Sequence, residues 1–415
     1  MTMIANRKAI LALLTGLNFL NYLDRFIVAA VLPKILIELD LSNFEGGLLA
    51  TIFLLGYFVT SPFFGVLGDR LPRKYLIALG VLTWSAATIA SGLAGSLLGL
   101  LVARAVVGVG EASYATLAPT IIDDLTPPEK KGRTLAIFFL AVPLGSALGY
   151  LVGGFIQQRW GWRMAFFVGG GPGIVLSLLC LAIAEPARRL GEAKIGMTEA
   201  LHTLPRIPLY RRAVLGYCAH TATVGAFSFW APKYLFERFG MELHAADFWF
   251  GVVTVVAGAA GTIYGGRMAD RVLREIPSVP AGAPHDQLEN LRAANAQLRV
   301  CAIGVAIAFP LAALAFLMPT ATLFFVCAGI CEVGLFLSTS PINAILLRTA
   351  PVYLRASAMA VAIFAIHLLG DLWSPPAVGL LSDHLPLTLA MMALPFGFLL
   401  ATVAWWPRRR EAGGL

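Results

Sequence analysis

The chain has 415 residues, 58% of them hydrophobic and 13% charged, with a net charge of +8 and a mean hydropathy of +0.79. An ordinary soluble domain carries about 25% charged residues, so a soluble multidomain protein is excluded. Apolar runs of about 20 residues, long enough to cross a bilayer as helix, recur along the chain and define a polytopic helical membrane protein.

Twelve spans are predicted, at 9–37, 46–67, 75–94, 97–122, 134–157, 164–184, 212–235, 247–270, 299–318, 321–347, 355–380 and 386–406. The first follows Arg7 and Lys8, as a signal peptide would. It is too long for one, is interrupted by Asn18, Asn21 and Asp24, and lacks a small-residue cleavage site, so it reads as a retained helix. With the amino terminus inside, the cytoplasmic segments hold 24 of the 31 Lys and Arg. Lys34, Arg159, Arg163, Lys233 and Arg238 fall outside, and Arg25 and Arg104 lie within spans. This asymmetry satisfies the positive-inside rule. It places both termini in the cytoplasm and accounts for the basic excess without a nucleic-acid partner. Short loops with Ala- and Arg-rich usage point to a bacterial inner membrane, and a monomer is expected.

Two hydrophilic stretches interrupt the pattern. The one from Glu185 to Arg212 separates six spans from six. The expected organisation is an amino-terminal six-helix bundle over 1–184, a cytoplasmic linker over 185–211 and a carboxy-terminal bundle over 212–415. The stretch from Arg271 to Arg299 is expected to combine a flexible segment with a short surface helix.

The halves echo one another. "GVLGDRLPRK" (65–74) follows span two and "GRMADRVLRE" (266–275) follows span eight. Gly65, Asp69, Arg70 and Arg73 align with Gly266, Asp270, Arg271 and Arg274 at one offset of 201. Glu111, Pro119 and Arg133 are echoed by Glu332, Pro341 and Arg355 at 221 to 222. Paired six-helix halves handling substrate between them near the bilayer midplane are a transporter construction.

Charges inside the oil carry the chemistry. An ionised side chain at mid-bilayer costs roughly 2.5–3.5 kcal/mol on insertion scales, so it persists where it pairs, faces water or works. On span one, Asn18, Asn21, Tyr22 and Arg25 share an arc of roughly 100°, with Asp24 flanking it. On span four, Arg104 and Glu111 lie seven residues apart on nearly one face, with Gly108 between them to admit a neighbouring helix or ligand. The two stripes are expected to face each other across a central cavity. Motion that changes an arginine's distance from a carboxylate, or its access to water, changes proton affinity. The alternatives are an inert clamp for Asp24 with Arg25 and a static pair for Arg104 with Glu111. In the second half, Glu332 shares a face with Thr339 and Asn343, and His367 and Asp371 stand one turn apart. His220, Thr223, Ser228 and Trp230 are candidate cavity lining on span seven.

Other chemistries are not signalled. The chain has no G-x-x-x-x-G-K-[ST] loop, no H-E-x-x-H and no plausible triad. Ser113 beside Glu111 has no histidine in reach to make a hydrolase, so no enzymatic activity is expected. Cys327 and Cys331 are one turn apart without a second pair, and read as packing residues. Neither cofactor nor metal is expected.

Gly65-x-x-x-Asp69-Arg70-x-x-Arg73-Lys74 resembles the loop signature of the major facilitator superfamily, with Pro72 standing where that pattern has Gly. "NYLDRFIVAAVLP", "GVGEASYATLAPTIIDDL", "PLGSALGYLVGG" and "FWAPKYL" resemble the Spinster family of lipid transporters within it. The resemblance implies an all-α membrane fold of twelve helices in two pseudo-symmetric bundles. It implies transport of amphiphilic, lipid-like molecules (lysophospholipids or sphingosine-phosphate-like compounds) by alternating access, with protons coupled through Asp24 and Glu111. Arg25, Arg104, Asn21, Tyr22, Tyr114 and Glu332 are the candidate substrate and charge partners. Gly65, Asp69, Arg70, Arg73, Asp270 and Arg271 are the candidate cytoplasmic gate. The alternative substrate class is a drug or small organic solute. A non-transporting sensor or scaffold is disfavoured by the absence of a soluble signalling domain. The Gly-Pro-x-x-Gly-Gly of drug antiporters is missing from the Pro143–Gly154 stretch.

Overall fold

The computed structural model describes residues 4, 6–127, 131–186, 197–275, 286–351 and 354–407. Among them, regular structure is helical apart from an isolated bridge between Ile4 and Ile183. The first half comprises α1 (Arg7–Glu38), α2 (Asn43–Arg70), α3 (Arg73–Leu93), α4 (Leu97–Leu125), α5 (Lys131–Trp160) and α6 (Trp162–Leu181). A short α7 (Met197–Thr203) follows, then α8 (Pro208–Phe239), α9 (Leu243–Arg274) and α10 (Asp286–Leu317). The last three spans are each broken in two. They are α11 (Ala321–Phe336) with α12 (Thr339–Thr349), α13 (Arg355–Ile366) with α14 (Ser374–His384), and α15 (Leu387–Met391) with α16 (Pro395–Trp405).

Ten spans among the described residues are long and apolar enough to cross a membrane. The other two of the expected twelve are α1 and α8, each 32 residues, about 48 Å at a rise of 1.5 Å per residue. Their composition is diluted by polar groups: Asn18, Asn21, Asp24 and Arg25 in α1, and Arg211, Arg212, His220 and Thr223 in α8. The helix that opens each half is thus its most polar one. The short surface helix expected between Arg271 and Arg299 is not separate, because α10 runs unbroken from Asp286 into span nine.

Helix ends follow local chemistry. Ser42 accepts from Glu45 N–H while the Glu45 side chain reaches back to the Ser42 N–H, a reciprocal cap that starts α2. Gly161 and Gly240 have φ of +81° and +63°, a conformation open to glycine at low cost, and turn the chain between α5 and α6 and between α8 and α9.

The described chain packs as two compact units. The first is Met1–Gly191 with Ser228–Val252 and Pro375–His384, and the second is the remainder. Chain order and packing therefore differ. The ends of α8 and α9 that meet at Gly240, and most of α14, associate with the first six helices. Within this unit Trp230 Nε1–H donates to the Pro375 carbonyl at 2.9 Å. The Asp383 carboxylate accepts the Asn43 and Phe44 N–H groups at 2.7 and 3.0 Å. Each unit has its own apolar core: Leu14, Ile77, Val81, Val107 and Tyr114 in the first, and Cys301, Val305, Ile342, Ile345 and Trp405 in the second.

Glycine sets the closeness of these helices. A Cβ at Gly80 would lie 2.7 Å from the Gly110 carbonyl oxygen, and one at Gly110 would lie 2.6 Å from that of Gly80. Gly304 and Gly334 repeat the contact between α10 and α11 at 2.4 and 2.7 Å. At the crossing of α2 and α4, a Cβ on Gly108 would stand 2.1 Å from the Phe53 carbonyl oxygen. Gly108→Ala forces backbone apart, and overpacking of this kind costs about 1–3 kcal/mol. We expect it to lower the thermal unfolding midpoint in detergent by several degrees. Gly16→Ala, with nothing within 4 Å of the added atom, should leave the midpoint unchanged or raise it. Equal midpoints for the two variants would refute the backbone-contact account.

Candidate functional site

The Gly108 crossing brings Phe53 and Tyr57 of α2 against the charged stretch of α4, while α1 supplies Asp24 and Arg25. Arg25 Nε–H donates to Glu111 Oε2 at 2.7 Å. The Glu111 side chain is fully enclosed, whereas that of Arg25 keeps 19% exposure, so the pair has a sealed end and an open end. The Arg25 guanidinium carbon stands 4.8, 5.0 and 5.2 Å from the ring centroids of Tyr22, Phe53 and Tyr57. Such aromatic faces stabilise a cation taken out of water. The Arg104 guanidinium uses the same Phe53 ring, at 4.9 Å.

Asp24 points to the other side of α1. Its Oδ2 accepts the Thr88 hydroxyl of α3 at 2.6 Å, and Oδ1 lies near Gly169 of α6. Three members of the cluster retain unspent polar atoms: Oδ1 of Asp24, Nε and Nη1 of Arg104, and Oε1 of Glu111. Buried polar atoms are ordinarily satisfied, so the site has bonding capacity in hand. Two arginines and two carboxylates balance in formal charge, with one strong pair formed.

The expected wet stripe on α1 divides when placed in space. Asn18 donates to the Phe138 carbonyl of α5 at 3.0 Å, and Asn21 is buried with its Nδ2 unspent. Tyr22 and Arg25 form the open part. Tyr114 is fully buried and gives its hydroxyl to the Leu14 carbonyl, fastening α4 to α1. Ser113 likewise gives its hydroxyl to the Leu76 carbonyl at 2.7 Å. In the second unit, Glu332 accepts the Thr254 hydroxyl at 3.1 Å. The break between α11 and α12 separates Glu332 from Thr339 and Asn343, which were expected on one continuous face. His367 Nδ1 and Asp371 Oδ1 stand 2.9 Å apart inside a π turn spanning His367–Asp371. Thr88, Phe53 and Tyr57 enter the site without having been singled out as charge partners. The i, i+4 spacing of Phe53 and Tyr57 is an aromatic signal readable on α2.

The Major Facilitator Superfamily model matches residues 14–375. "Protein spinster homolog 1" of Homo sapiens is 34% identical over 404 residues, covering 91% of this chain and 73% of that protein. The chain belongs to the Spinster family of the Major Facilitator Superfamily. "Probable sphingolipid transporter spinster homolog 1" of Arabidopsis thaliana is 30% identical, covering 89% of this chain and 81% of its own length. The fold matches the crystal structure of a bacterial homolog to the human lysosomal transporter Spinster, with a TM-score of 0.83 at 22% identity, covering 98% of this chain and 97% of the other. This is a multi-pass membrane transporter and not an enzyme.

The superfamily's loop signature spans the last turns of α2 and the first turn of α3. Arg73 is buried and binds Asp124 at 2.7 Å, Glu185 at 3.1 Å and the Thr120 hydroxyl at 3.0 Å, all within the first unit. It ties the loop to α4 and to the segment after α6. Arg70 is exposed, as are Asp270 and Arg271 at the end of α9. A Cβ at Gly65 would meet Thr116 of α4 at 3.9 Å, an ordinary contact. The Asp69 side chain lies outside the described residues.

Removing one partner of a buried pair leaves an uncompensated charge, at a cost of about 3–5 kcal/mol. Arg25→Ala should therefore lower the unfolding midpoint markedly, and adding Glu111→Gln should restore most of the loss. A double variant no more stable than Arg25→Ala would show that the charge left on Glu111 is not the cause.

Proposed function

We propose that this transporter carries amphiphilic, lipid-like molecules, of the lysophospholipid or sphingosine-phosphate type, by alternating access, and that Glu111 with Asp24 couples the movement to protons. The observation that supports this reading is the Arg25–Glu111 pair, closed at its carboxylate and open at its guanidinium. A guanidinium matches phosphate or carboxylate in a two-point hydrogen bond. Arg25 can then serve one of two partners, the internal Glu111 or the anionic headgroup of a substrate.

The steps follow from charge balance. With Glu111 ionised, its oxygen occupies Arg25. A proton delivered to Glu111 removes that negative charge and frees the guanidinium for a headgroup. Arg104, which shares Phe53 with Arg25, supplies the second positive charge once its unspent nitrogens are reached. Release of the anion and loss of the proton restore the internal pair. Asp24, anchored through Thr88, is the second carboxylate whose ionisation sets the local balance. The name of the Arabidopsis relative supports a lipid class of cargo. Asn21, Tyr22 and Glu332 belong to the wider substrate environment in this reading, while Tyr114, a candidate substrate partner by resemblance, instead fastens α4 to α1. Gly65, Asp69, Arg70, Asp270 and Arg271 form the cytoplasmic gate, with Arg73 holding the first gate loop in shape. The six-helix divisions at 1–184 and 212–415, joined by 185–211, are the halves that exchange position in this reading. Ser228–Val252 and Pro375–His384 are the stretches of the second half that must part from the first unit for them to do so.

The test is uptake of a fluorescent lysophospholipid by purified protein in proteoliposomes, with and without an imposed pH gradient. Wild type should show gradient-stimulated uptake, and Glu111→Gln should reduce that stimulation at least tenfold. Full stimulation in Glu111→Gln removes the residue from coupling. Uptake of small organic cations in place of lysophospholipid would overturn the lipid assignment.

A further inference from the structure

Asp247 stands apart from the Arg25–Glu111 cluster and has no part in the mechanism above. It lies on the second turn of α9, is fully buried, and neither carboxylate oxygen has a hydrogen-bond partner among the described residues. The position opposite is Gly154 of α5, where a Cβ would come within 2.5 Å of Asp247 Oδ2. Around this point α5 and α9 form a close seam. Tyr150 meets Phe250 edge-on at 5.1 Å between centroids, and Gly251 sits against the Ala147 carbonyl. All of these residues belong to the first unit.

Among the described residues, the elements packed around the seam make no hydrogen bond or ion pair to Asp247. On α9 itself, His244 one turn earlier has its Nδ1 3.8 Å from Glu242. On α5, the Tyr150 hydroxyl donates to the Ser228 carbonyl at 2.7 Å. On α8, Lys233 is paired with Glu237, and on α1, Lys34 lies over the Phe236 ring. An ionised carboxylate buried with neither donor nor cation is far costlier than a neutral acid in the same place. The seam as packed therefore fits the acid form. One to three residues along the chain from Gly154 and Asp247, the side chains of Leu151, Phe155, His244 and Phe248 line an open cleft of about 750 Å³, which Asp247 itself does not reach while the seam is closed.

We propose that Asp247 is a second proton-binding site, which keeps the α5–α9 seam closed while protonated and opens it when the proton is lost to water. Closure is then present at low pH and lost as pH rises, in the sense expected of a group that packs in its neutral form. The site is distinct from Glu111: it acts on a seam between helices of the two halves assigned above rather than on the Arg25–Glu111 pair.

The test is maleimide labelling of Ala245→Cys, which lines the cleft, normalised at each pH to labelling of Gly95→Cys at an exposed turn to remove the pH dependence of the thiol. In full-length protein the normalised rate should rise at least threefold between pH 5.5 and 8.5. Asp247→Asn should abolish the rise and hold the low rate, and Asp247→Ser provides a second neutral variant should the first fail to fold. His244→Gln and Glu111→Gln should each keep the rise. A flat profile in the parent, a rise surviving in the neutral variants, or its loss in His244→Gln overturns the proposal. Retention of the rise in a Glu111→Gln protein that has lost gradient-driven uptake separates this site from the coupling assigned above.

Discussion

A charge held in a low-dielectric interior must find a partner or be neutralised, and the first unit is arranged around that constraint. Arg25 and Glu111 come from helices far apart in sequence and meet at 2.7 Å. For them to meet, α1 must lie beside α4, and α2 must bring its aromatic rings under both guanidiniums. Gly108 makes the second condition possible by letting α2 backbone approach where any side chain would collide. The glycines of α5 meet the first. Cβ atoms at Gly145 and Gly149 would fall 2.5 Å from the carbonyl oxygens of Phe19 and Leu23, so α1 is held tightly just before Asp24 and Arg25.

The same constraint separates the roles of neighbouring residues. Asp24 and Arg25 are adjacent in sequence, yet about 100° of helical rotation sends one toward Thr88 of α3 and the other toward Glu111 of α4. Consecutive charges in a membrane helix need not form one group. Here one is anchored by a neutral hydroxyl and the other by a carboxylate, so protonation acts on two different surroundings.

Much of this was readable from residues. Span positions, the six-plus-six repeat and the facing of the charged stripes of spans one and four follow from apolar run length, from matched loop signatures and from the cost of unpaired charge. The pairing of Arg25 with Glu111, in place of Asp24 with Arg25 or Arg104 with Glu111, appears only in the structure. The repeat is visible again in the packing, where Gly80–Gly110 and Gly304–Gly334 make the same backbone contact. Other features were hidden for physical reasons. Whether Asn21 is wet or dry depends on which helix covers it, and periodicity along α1 carries no information about α5. Tyr114 was a candidate substrate partner, but its hydroxyl is spent on the Leu14 carbonyl, a long-range partner that spacing cannot reveal. The interruption at Leu337–Ser338 is signalled by Pro341, whose ring cannot donate to the Leu337 carbonyl four residues back, but the length of the apolar run hid it. Asp247 passed as an ordinary polar residue near a helix start, since its isolation arises only when α5 closes over it.

The π turn at His367–Asp371 introduces a phase change into span eleven. One surplus residue in an otherwise 3.6-residue winding advances everything after it by about 100°. The face presented by α14 is therefore not the continuation of the face presented by α13, and heptad counting carried across the turn assigns the later residues to the wrong side. Evolution can thus re-aim the far end of this helix by adding or losing a single codon, leaving the near end where it was.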